Sequence, residues 1–241
     1  TVKRHGREKG MKMDILELRN KKVLVVGSGI SGIGAVQALY YTGALPVLYD
    51  ANESLKEEEV RAKLAPDIAV EILLGVLPED TARTVELVVV SPGVPTDTEF
   101  VGRFRKEGIP VWGEIELAYR IGSGRVVGIT GTNGKTTTTS LVGAIMAAYC
   151  QDVDVVGNIG NPYTLTAMDA TEDTVTVAEI SSFQLETIEA FRPDVSAILN
   201  ITPDHLNRHH TMENYAAVKE AIASNQTKEQ VCVLNYDNSY T

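Results

Sequence analysis

A glycine-punctuated segment with a lysine and a threonine carries the clearest chemistry in this sequence. The segment is Gly131-Thr-Asn-Gly134-Lys-Thr, and it follows an apolar β-branched run at Val126–Ile129. Glycines let the backbone curl until successive N–H groups point inward at an anion, and a following helix adds the positive end of its dipole. Lys135 would supply a mobile charge for β- and γ-phosphates, and the Thr136 hydroxyl a ligand for Mg²⁺. The segment therefore predicts a nucleotide-phosphate loop between a strand and a helix at about 136–149.

This loop is shorter than the common phosphate-loop pattern G-x-x-x-x-G-K-[ST]. That pattern places a glycine five residues before Gly134, where this chain has Ile129. A strand-to-helix turn that happens to carry Lys-Thr is the alternative. Because the turn, the charge and the hydroxyl all lie where phosphate binding needs them, phosphate binding is the prediction.

Polar residues follow three further strand-like runs. These segments are Gly157-Asn158-Ile-Gly160, Glu179-Ile-Ser-Ser182 and Asn200-Ile-Thr-Pro-Asp204-His205. The carboxyl ends of parallel strands meet at one edge of a sheet, so these segments are expected beside the phosphate loop. Glu179 interrupts an apolar run, and a buried carboxylate needs a partner such as Mg²⁺, although an edge-strand or salt-bridged glutamate is the alternative. His205 is either a metal ligand or a loop histidine.

Lys219 lies on the partly apolar face of a predicted helix. Thr211 can cap this helix, which begins at Met212, and Tyr215 and Ile222 mark its apolar face. A lysine at this position either snorkels to solvent or is desolvated. Desolvation would favour its neutral, nucleophilic amine.

A second glycine loop lies near the start of the chain. Strand Lys22–Val26 leads into Gly27-Ser-Gly-Ile-Ser-Gly32, and Asp50 ends the next strand, 18 residues after Gly32. This arrangement fits a dinucleotide-binding fingerprint, but it indicates a nucleotide or a diphosphate better than it indicates NAD. Ser91-Pro-Gly93 closes another strand and belongs on the same rim, unless it is an ordinary turn.

The alternation of strands and helices predicts an α/β protein made of two doubly wound parallel-sheet units. Residues 1–13 are expected to be a disordered lead-in, 14–122 a Rossmann-like domain and 123–241 part of a P-loop ATPase-like domain, with a hinge at Gly122–Gly124. Strands are expected at 22–26, 45–49, 68–73, 87–90, 109–112, 126–129, 153–156, 174–180, 195–200 and 231–234. Helices are expected at 35–41, 53–64, 97–106, 136–149 and from 212 onward.

Composition narrows the possible function classes. The 241 residues carry a net charge of −10, which argues against a broad nucleic-acid or acidic-membrane surface. No apolar run approaches ~18 residues, so no membrane span is expected. Cys150 and Cys232 have no metal-site spacing, and they are predicted to be free, buried thiols in a cytoplasmic protein.

Taken together, these motifs resemble the Mur ligase family, the ATP-dependent amide ligases of peptidoglycan precursor synthesis. The similarity rests on Gly131–Thr137, Gly157–Gly160, Glu179–Glu186, Asn200–His205 and Tyr215-x-x-x-Lys219. The Ser-Ser-Phe-Gln-Leu-Glu run and the opening glycine-loop domain resemble the D-glutamate-adding branch. The resemblance implies ATP, Mg²⁺, UDP-N-acetylmuramoyl-L-alanine and D-glutamate as ligands, an acyl-phosphate intermediate, and a monomer without a nucleic-acid partner.

The resemblance also implies a role for each matching residue. Catalysis would use Lys135, Glu179, His205 and Lys219. ATP would contact Gly131, Thr132, Asn133, Gly134, Lys135, Thr136 and Thr137. The UDP substrate would contact Ser28, Ile30, Ser31, Asp50, Ala51, Ser91, Pro92, Gly93, Asn158, Ser181 and His205. Metal ligands would be Thr136, Glu179, His205 and Lys219, the last as a carbamate.

Some features depart from the family pattern. Asn52 stands where some members carry arginine, and Asn207 replaces an acid. The sequence does not extend into the family's C-terminal ligase domain. Either the chain is a fragment, which is expected to be inactive, or the remainder lies outside these 241 residues. An NAD-dependent oxidoreductase built on the first glycine loop and a non-catalytic nucleotide-binding module are the alternatives.

Overall fold

The computed structural model describes residues 15–241, so the predicted lead-in at 1–13 lies outside the described residues. The structure contains two five-stranded sheets, and every strand pairing is parallel. The α/β prediction with two parallel-sheet units is therefore confirmed. Because crossover connections place helices on both faces, such strands are buried and read as apolar runs.

The first sheet has the strand order β3-β2-β1-β4-β5. Its strands are β1 Lys22–Val26, β2 Leu45–Asp50, β3 Glu71–Leu74, β4 Leu87–Val90 and β5 Val111–Gly113. Its helices are α1 Ile15–Leu18, α2 Ile30–Tyr41, α3 Glu57–Arg61, α4 Glu79–Ala82 and α5 Glu99–Lys106, and α6 Glu114–Ile121 follows β5. Strands β2 and β3 are added on one side of β1, and β4 and β5 on the other, so the strand order reverses between β1 and β4. At such a switch point a crevice opens at the carboxyl ends of the strands.

The second sheet has the strand order β10-β9-β6-β8-β7. Its strands are β6 Arg125–Thr130, β7 Val153–Gly157, β8 Val175–Glu179, β9 Val195–Ile198 and β10 Val231–Leu234. Its helices are α7 Lys135–Ala147, α8 Tyr163–Ala167, α9 Ser182–Leu185, α10 Leu206–His209 and α11 Met212–Glu220, and a 3₁₀ turn follows at Ala221–Ala223. The central strand β6 pairs with β8 on one side and β9 on the other, so three loops meet at its carboxyl end.

One hydrophobic cluster spans the two units, and each unit has a smaller cluster of its own. The shared cluster contains Leu39 of the first unit, Ile180 of the second, and Ile115 and Leu117 of α6. Ile115 and Leu117 are fully buried, and burial of such a side chain contributes about 1.5–3 kcal/mol. Helix α6 thus acts as a shared wall between the sheets.

Several element boundaries differ from the sequence-based expectation. The predicted helix at 53–64 is confined to Glu57–Arg61, because the Asn52 side chain accepts hydrogen bonds from the Ser54 N–H and hydroxyl and holds a turn. The predicted strand at 68–73 begins only at Glu71, since the Ile68 N–H bonds to the Ala65 carbonyl in a turn.

Helix α2 begins at Ile30 rather than at Ala35, and two glycines lie inside it. A Cβ at Gly32 would meet the Gly27 carbonyl oxygen at 1.8 Å. A Cβ at Gly34 would meet Thr164 Oγ1 at 2.8 Å and Pro162 Cβ at 3.0 Å. These glycines therefore permit close packing of α2 against its own loop and against α8 of the second unit.

The prediction of free thiols is confirmed, whereas the prediction that both are buried is wrong. Both thiols are free, but Cys150 is half-buried and Cys232 is exposed. Every residue of the edge strand β10 is exposed, so the apolar run Val231–Leu234 does not bury its cysteine. None of the helices between residues 15 and 241 has the length and apolar composition that crossing a membrane requires.

Candidate active site

The phosphate loop spans the gap between Thr130, the last residue of β6, and Lys135, the first residue of α7. Gly134 caps the helix with φ of 80°, a left-handed conformation that favours glycine. No side chain caps α7, so N–H groups of its first turn stay available for an anion. Lys135 Nζ donates to the carbonyl oxygens of Gly131 and Thr132 at 2.9 and 3.0 Å, and so lies back across its own loop.

Asn200 holds the outer side of this loop in place. Its side chain accepts from the Asn133 N–H at 2.9 Å and donates to the Asn133 carbonyl at 2.9 Å. Its own carbonyl accepts from the Thr132 N–H at 2.8 Å. Sequence reasoning placed Asn200 at the correct strand end but gave it no role. An amide that exchanges two hydrogen bonds with a backbone is visible only once the loops are assembled.

Glu179 ends β8 and lies opposite Ile129 of β6, beside the start of the phosphate loop. Its side chain is 1% exposed. Oε1 accepts a hydrogen bond from Asn158 Nδ2 at 2.8 Å, whereas Oε2 has no hydrogen-bond partner in the part of the chain that the structure describes. A buried carboxylate oxygen without a donor is costly unless a cation satisfies it, and Mg²⁺ prefers oxygen ligands of this kind.

Lys219 reaches the same loop from α11. The side chain is 1% exposed, its Nζ donates to the Gly131 carbonyl at 2.9 Å, and the ammonium lies 4.8 Å from the Tyr215 ring centroid. Burial, with the charge of Lys135, lowers the pKa of Lys219 to about 7, and Asp204 opposes this only in part. Lys135 and Lys219 thus converge on one carbonyl oxygen, that of Gly131.

The remaining predicted residues of this edge have different surroundings. His205 is exposed, has φ of 52°, and its ring lies 4.9 Å from that of Phe183. The Ser181 hydroxyl caps α9 and donates to Gln184 Oε1 at 3.0 Å. Thr136 and Thr137 are exposed in the first turn of α7.

A magnesium ion fits this edge through few protein ligands. Residues 15–241 contain no cluster of three His, Cys, Asp or Glu side chains that could hold a metal. Mg²⁺ often keeps several waters and binds through one or two carboxylates together with substrate phosphates. The unpartnered oxygen of Glu179 and the Thr136 hydroxyl are compatible with such a site.

A cavity of about 740 Å³ lies at the carboxyl ends of β1, β2 and β4. Its lining includes every first-unit residue predicted to bind the UDP substrate: Ser28, Ile30, Ser31, Asp50, Ala51, Ser91, Pro92 and Gly93. It also includes Tyr49 and Phe100, whose rings stack at 5.4 Å between centroids. Sequence reasoning missed this aromatic wall, because Phe100 comes from α5 and has no motif around it.

Asp50 shapes the floor of the cavity. Its Oδ2 accepts from the N–H and the hydroxyl of Ser28 at 2.8 and 2.7 Å, and its Oδ1 accepts from the Asn52 N–H at 3.0 Å. Burial alone would raise the pKa of Asp50, but these bonds and the charge of Lys63 outweigh it and lower that pKa. The carboxylate is therefore engaged with its own loop on both oxygens.

Two buried carboxylates of α6 bond to the second unit, and one of them, Glu114, also bonds to the loop that lines the cavity. Glu116 is 0% exposed and accepts from the backbone N–H groups of Glu189, Ala190 and Phe191, and from Arg120. Glu114 is 2% exposed and bonds to residues of both units. Neither residue was predicted, although two acids on an otherwise apolar helix are a signal of buried, partnered carboxylates.

A third connection uses an arginine close to His205. Arg208 pairs with Glu186 at 2.6 Å and donates to the Val94 carbonyl at 3.0 Å. Glu186 in turn accepts from the Thr96 hydroxyl at 2.9 Å. Because Val94 lines the cavity, the second unit directly supports the rim of the first.

Comparisons with known proteins agree with this architecture. A family model of the Mur ligase middle domain matches residues 129–241, and a model of the MurD-like N-terminal domain of Mur ligases matches residues 21–113. A structure of a murein peptide ligase from Psychrobacter arcticus, 15% identical, has a TM-score of 0.53 over 91% of this chain and 50% of that one. At this identity the similarity concerns the fold alone.

Two curated relatives are considerably more similar in sequence. UDP-N-acetylmuramoylalanine–D-glutamate ligase of Lachnospira eligens is 58% identical over 225 residues, 93% of this chain and 50% of the relative. The enzyme of the same name from Lachnoclostridium phytofermentans is 58% identical over 220 residues, 91% of this chain and 48% of the relative. The chain spans about half the length of the curated relatives it matches. Since both models describe Mur ligase domains and together match residues 21–113 and 129–241, the chain belongs to the Mur ligase family.

Proposed function

We propose that this chain forms part of an ATP-dependent ligase that adds D-glutamate to UDP-N-acetylmuramoyl-L-alanine. The observation that carries the proposal is the buried, unpartnered Oε2 of Glu179 at the strand edge that holds the phosphate loop. A nucleoside triphosphate would occupy the phosphate loop, and its Mg²⁺ would pair with the Glu179 oxygen. The names of the two relatives supply the acceptor and the amino acid.

In this proposal the phosphate loop binds the triphosphate of ATP. Backbone N–H groups of Gly131–Thr137 face the phosphate oxygens, and Lys135 leaves its two carbonyl partners to reach the β- and γ-phosphates. Glu179, Thr136, His205 and a modified Lys219 would hold Mg²⁺. Bound there, it would supply positive charge that neutralises the transferring phosphoryl group.

The reaction then proceeds in two displacements. An oxygen of the alanyl carboxylate attacks the γ-phosphorus, ADP leaves, and an acyl phosphate forms. The neutral amine of D-glutamate attacks the acyl carbon, and inorganic phosphate leaves with the bonding electron pair. The nitrogen releases one proton to solvent as the amide forms. Lys135 stabilises charge on the phosphoryl oxygens, and Asn158 and Ser181 orient the muramoyl–alanyl end of the substrate.

The first-unit cavity holds the UDP part of the substrate. The hydroxyls of Ser28 and Ser31 already donate to Asp50 and Glu114, and the Ser28 N–H also donates to Asp50. Ser31 therefore contributes its backbone N–H at the start of α2, whereas Ser28 contributes the position of its loop. Ile30 is 78% exposed at the mouth and offers an apolar contact. Asp50–Ala51 and Ser91–Gly93 form the walls.

Lys219 is proposed to act as a carbamate. Its pKa of about 7 leaves much of the amine neutral near neutral pH, so the nitrogen lone pair can attack CO₂ and release a proton to solvent. The product is a carboxylate beside Glu179's edge of the sheet. In the complete protein, Lys219→Ala is expected to regain activity partly with short-chain carboxylic acids, because they replace the lost carboxylate. No recovery with any such acid would contradict the carbamate.

The proposed function is tested on the complete protein that contains this sequence. UDP-N-acetylmuramoyl-L-alanine, D-glutamate and MgATP are expected to give ADP, phosphate and the amide product in equal amounts. Because the first displacement releases ADP before D-glutamate reacts, up to one ADP per enzyme is expected without D-glutamate. Continued ADP formation at the same rate with and without D-glutamate would contradict the proposal. The same proposal makes the enzyme a cytoplasmic monomer.

An NAD-dependent oxidoreductase is the competing function for the first glycine loop. It would use Asp50 to bind a ribose, yet Asp50 Oδ2 already accepts two hydrogen bonds from Ser28 of this loop and Oδ1 accepts one from the Asn52 N–H. It also gives no purpose to the phosphate loop or to Glu179. Tight binding of NAD⁺ that UDP does not displace would favour this alternative.

A further inference from the structure

Glu114, the first residue of α6, is a buried carboxylate that has no cationic partner among residues 15–241. Its Oε2 accepts from the Ser31 hydroxyl at 2.5 Å and from Gln184 Nε2 at 3.5 Å, and its Oε1 accepts from the Tyr163 N–H at 2.8 Å. Burial raises its pKa, and the three donors offset this only in part. A buried acid of this kind is weak evidence for stability, so its presence needs another explanation.

Each of the three donors belongs to a segment of the candidate site. Ser31 lies in the glycine loop that lines the UDP cavity. Tyr163 follows the Gly157–Gly160 segment, and Asn158 of that segment holds Glu179. Gln184 accepts from the N–H and hydroxyl of Ser181, two residues after Glu179. One carboxylate therefore contacts the cavity loop and both segments that flank Glu179.

The surrounding packing leaves this connection little freedom. Helix α8 lies against both α2 and α6, and Gly34 of α2 permits the close approach to Pro162 and Thr164. Ser31 is the second residue of α2, so the bond to Glu114 fixes the rotation of the helix whose N-terminus faces the cavity. A shift of Glu114 would move that N-terminus relative to Tyr163.

We propose that Glu114 is a positioning residue that fixes the UDP-binding loop of the first unit relative to the Glu179 edge of the second. The inference rests on the proposed function. In the ligase, Glu114 holds the alanyl carboxylate, carried by the UDP substrate, at the correct distance from the γ-phosphate on the phosphate loop. It acts through Ser31 and Tyr163 and touches no reacting atom. Misplacement of reactants by about 1 Å can cost ~10²-fold in rate.

The first measurement separates catalysis from binding. In the complete ligase, Glu114→Gln keeps the side-chain size but presents an NH₂ group to the donors of Ser31 or Gln184. We expect kcat to fall by about 10²-fold, with the KM for ATP within about twofold of wild type. The matched control is Glu116→Gln, a buried glutamate on the same helix that bonds away from the cavity. It is expected to lower the melting temperature without changing kcat per folded molecule. Wild-type kcat in Glu114→Gln would overturn the inference.

The second measurement does not need ligase activity. Hydrogen exchange is followed by mass spectrometry with and without UDP. In the wild-type protein UDP is expected to slow exchange in residues 158–164, although these lie in the second unit. In Glu114→Gln, UDP is expected to bind but to leave this segment unchanged. Equal slowing in both proteins would overturn the inference.

Failure of the proposed function can be distinguished from failure of the inference about Glu114. If the wild-type protein makes no amide product, the proposed function fails, and the exchange experiment still decides the role of Glu114. If Glu114→Gln does not fold, Ser31→Ala replaces it, since this change removes one hydroxyl from the same connection. Ser31→Ala is also expected to abolish the UDP-dependent slowing at 158–164, and slowing of wild-type size would overturn the inference.

Discussion

Replacement of Glu179 by glutamine should stabilise the protein in the absence of metal, although it removes a residue proposed for catalysis. The side chain is 1% exposed, and its Oε2 has no donor. Glu179→Gln keeps the size and the Oε1 bond to Asn158 but removes the negative charge. Function and stability should therefore respond to this change in opposite directions.

The change in the free energy of unfolding follows from the cost of burying each unpaired group, the carboxylate oxygen in the wild type and the amide in the variant. A buried, uncompensated charge costs several kcal/mol, whereas an unpaired neutral amide costs about 1–3 kcal/mol. The difference predicts a gain of about 2 kcal/mol for Glu179→Gln. For a protein of this size that gain corresponds to a rise in melting temperature of roughly 4–8 °C.

The assay is thermal unfolding in EDTA, followed by circular dichroism. Glu116→Gln is the matched control, because Glu116 is equally buried but accepts three backbone N–H bonds and the Arg120 pair. Loss of a buried, satisfied charge pair costs about 3–5 kcal/mol, so this variant should melt at least roughly 6 °C lower. Replacement of glutamate by glutamine should therefore raise the melting temperature at Glu179 and lower it at Glu116. A melting temperature of Glu179→Gln at or below that of wild type would refute the reasoning.

Three further predictions concern the two lysines and the cavity. Lys135→Ala should lower ADP formation by the complete protein by ~10²–10³-fold with its circular dichroism unchanged, and wild-type turnover would exclude the phosphate-loop assignment. UDP added to the chain should shift the NMR signals of Gly27–Ser31 and Ser91–Gly93, and no shift in either loop would contradict the cavity assignment. The pKa of Lys219 is about 7 in the folded protein, against an ordinary value of 10.5. Between pH 7 and 10.5 the unfolded chain therefore holds a proton on Lys219 that the folded protein lacks, so the free energy of unfolding should rise with pH in this range. Urea unfolding should accordingly show Lys219→Met more stable than wild type at pH 6, with the gain shrinking towards pH 10, and a gain that does not change with pH would argue against a desolvated lysine.

The strand pattern was predictable because most strands are short apolar runs that crossover helices cover on both faces, although the edge strand β10 is exposed. Lys22–Val26, Leu87–Val90 and Val231–Leu234 have the bounds that the apolar runs predicted. The Thr211 cap is also present, and its side chain accepts from the Asn214 N–H. Local composition is enough where one short apolar run equals one strand.

The contacts between segments were not predictable in the same way. Local patterns placed Glu179 and Lys219 at a strand end and on a helix face, but not the unpartnered Oε2 or the shared Gly131 carbonyl. The donors to Glu114 lie 83, 49 and 70 residues away in sequence. Pairings of such separation depend on how two units dock, and no local pattern specifies that geometry.

The anchoring of Glu116 has a consequence for the order of folding. Every strand of the first sheet precedes α6, so that sheet can form as soon as Gly113 has been synthesised. The backbone N–H groups that donate to the Glu116 carboxylate lie up to 75 residues later in the chain. At a synthesis rate of about 5–20 residues per second, these donors are made roughly 4–15 s after α6. During that interval both carboxylates of α6 remain hydrated and its apolar face has only one sheet to cover it. Docking of the second unit is therefore a late folding step, and the nascent first unit is the species for which a chaperone would compete.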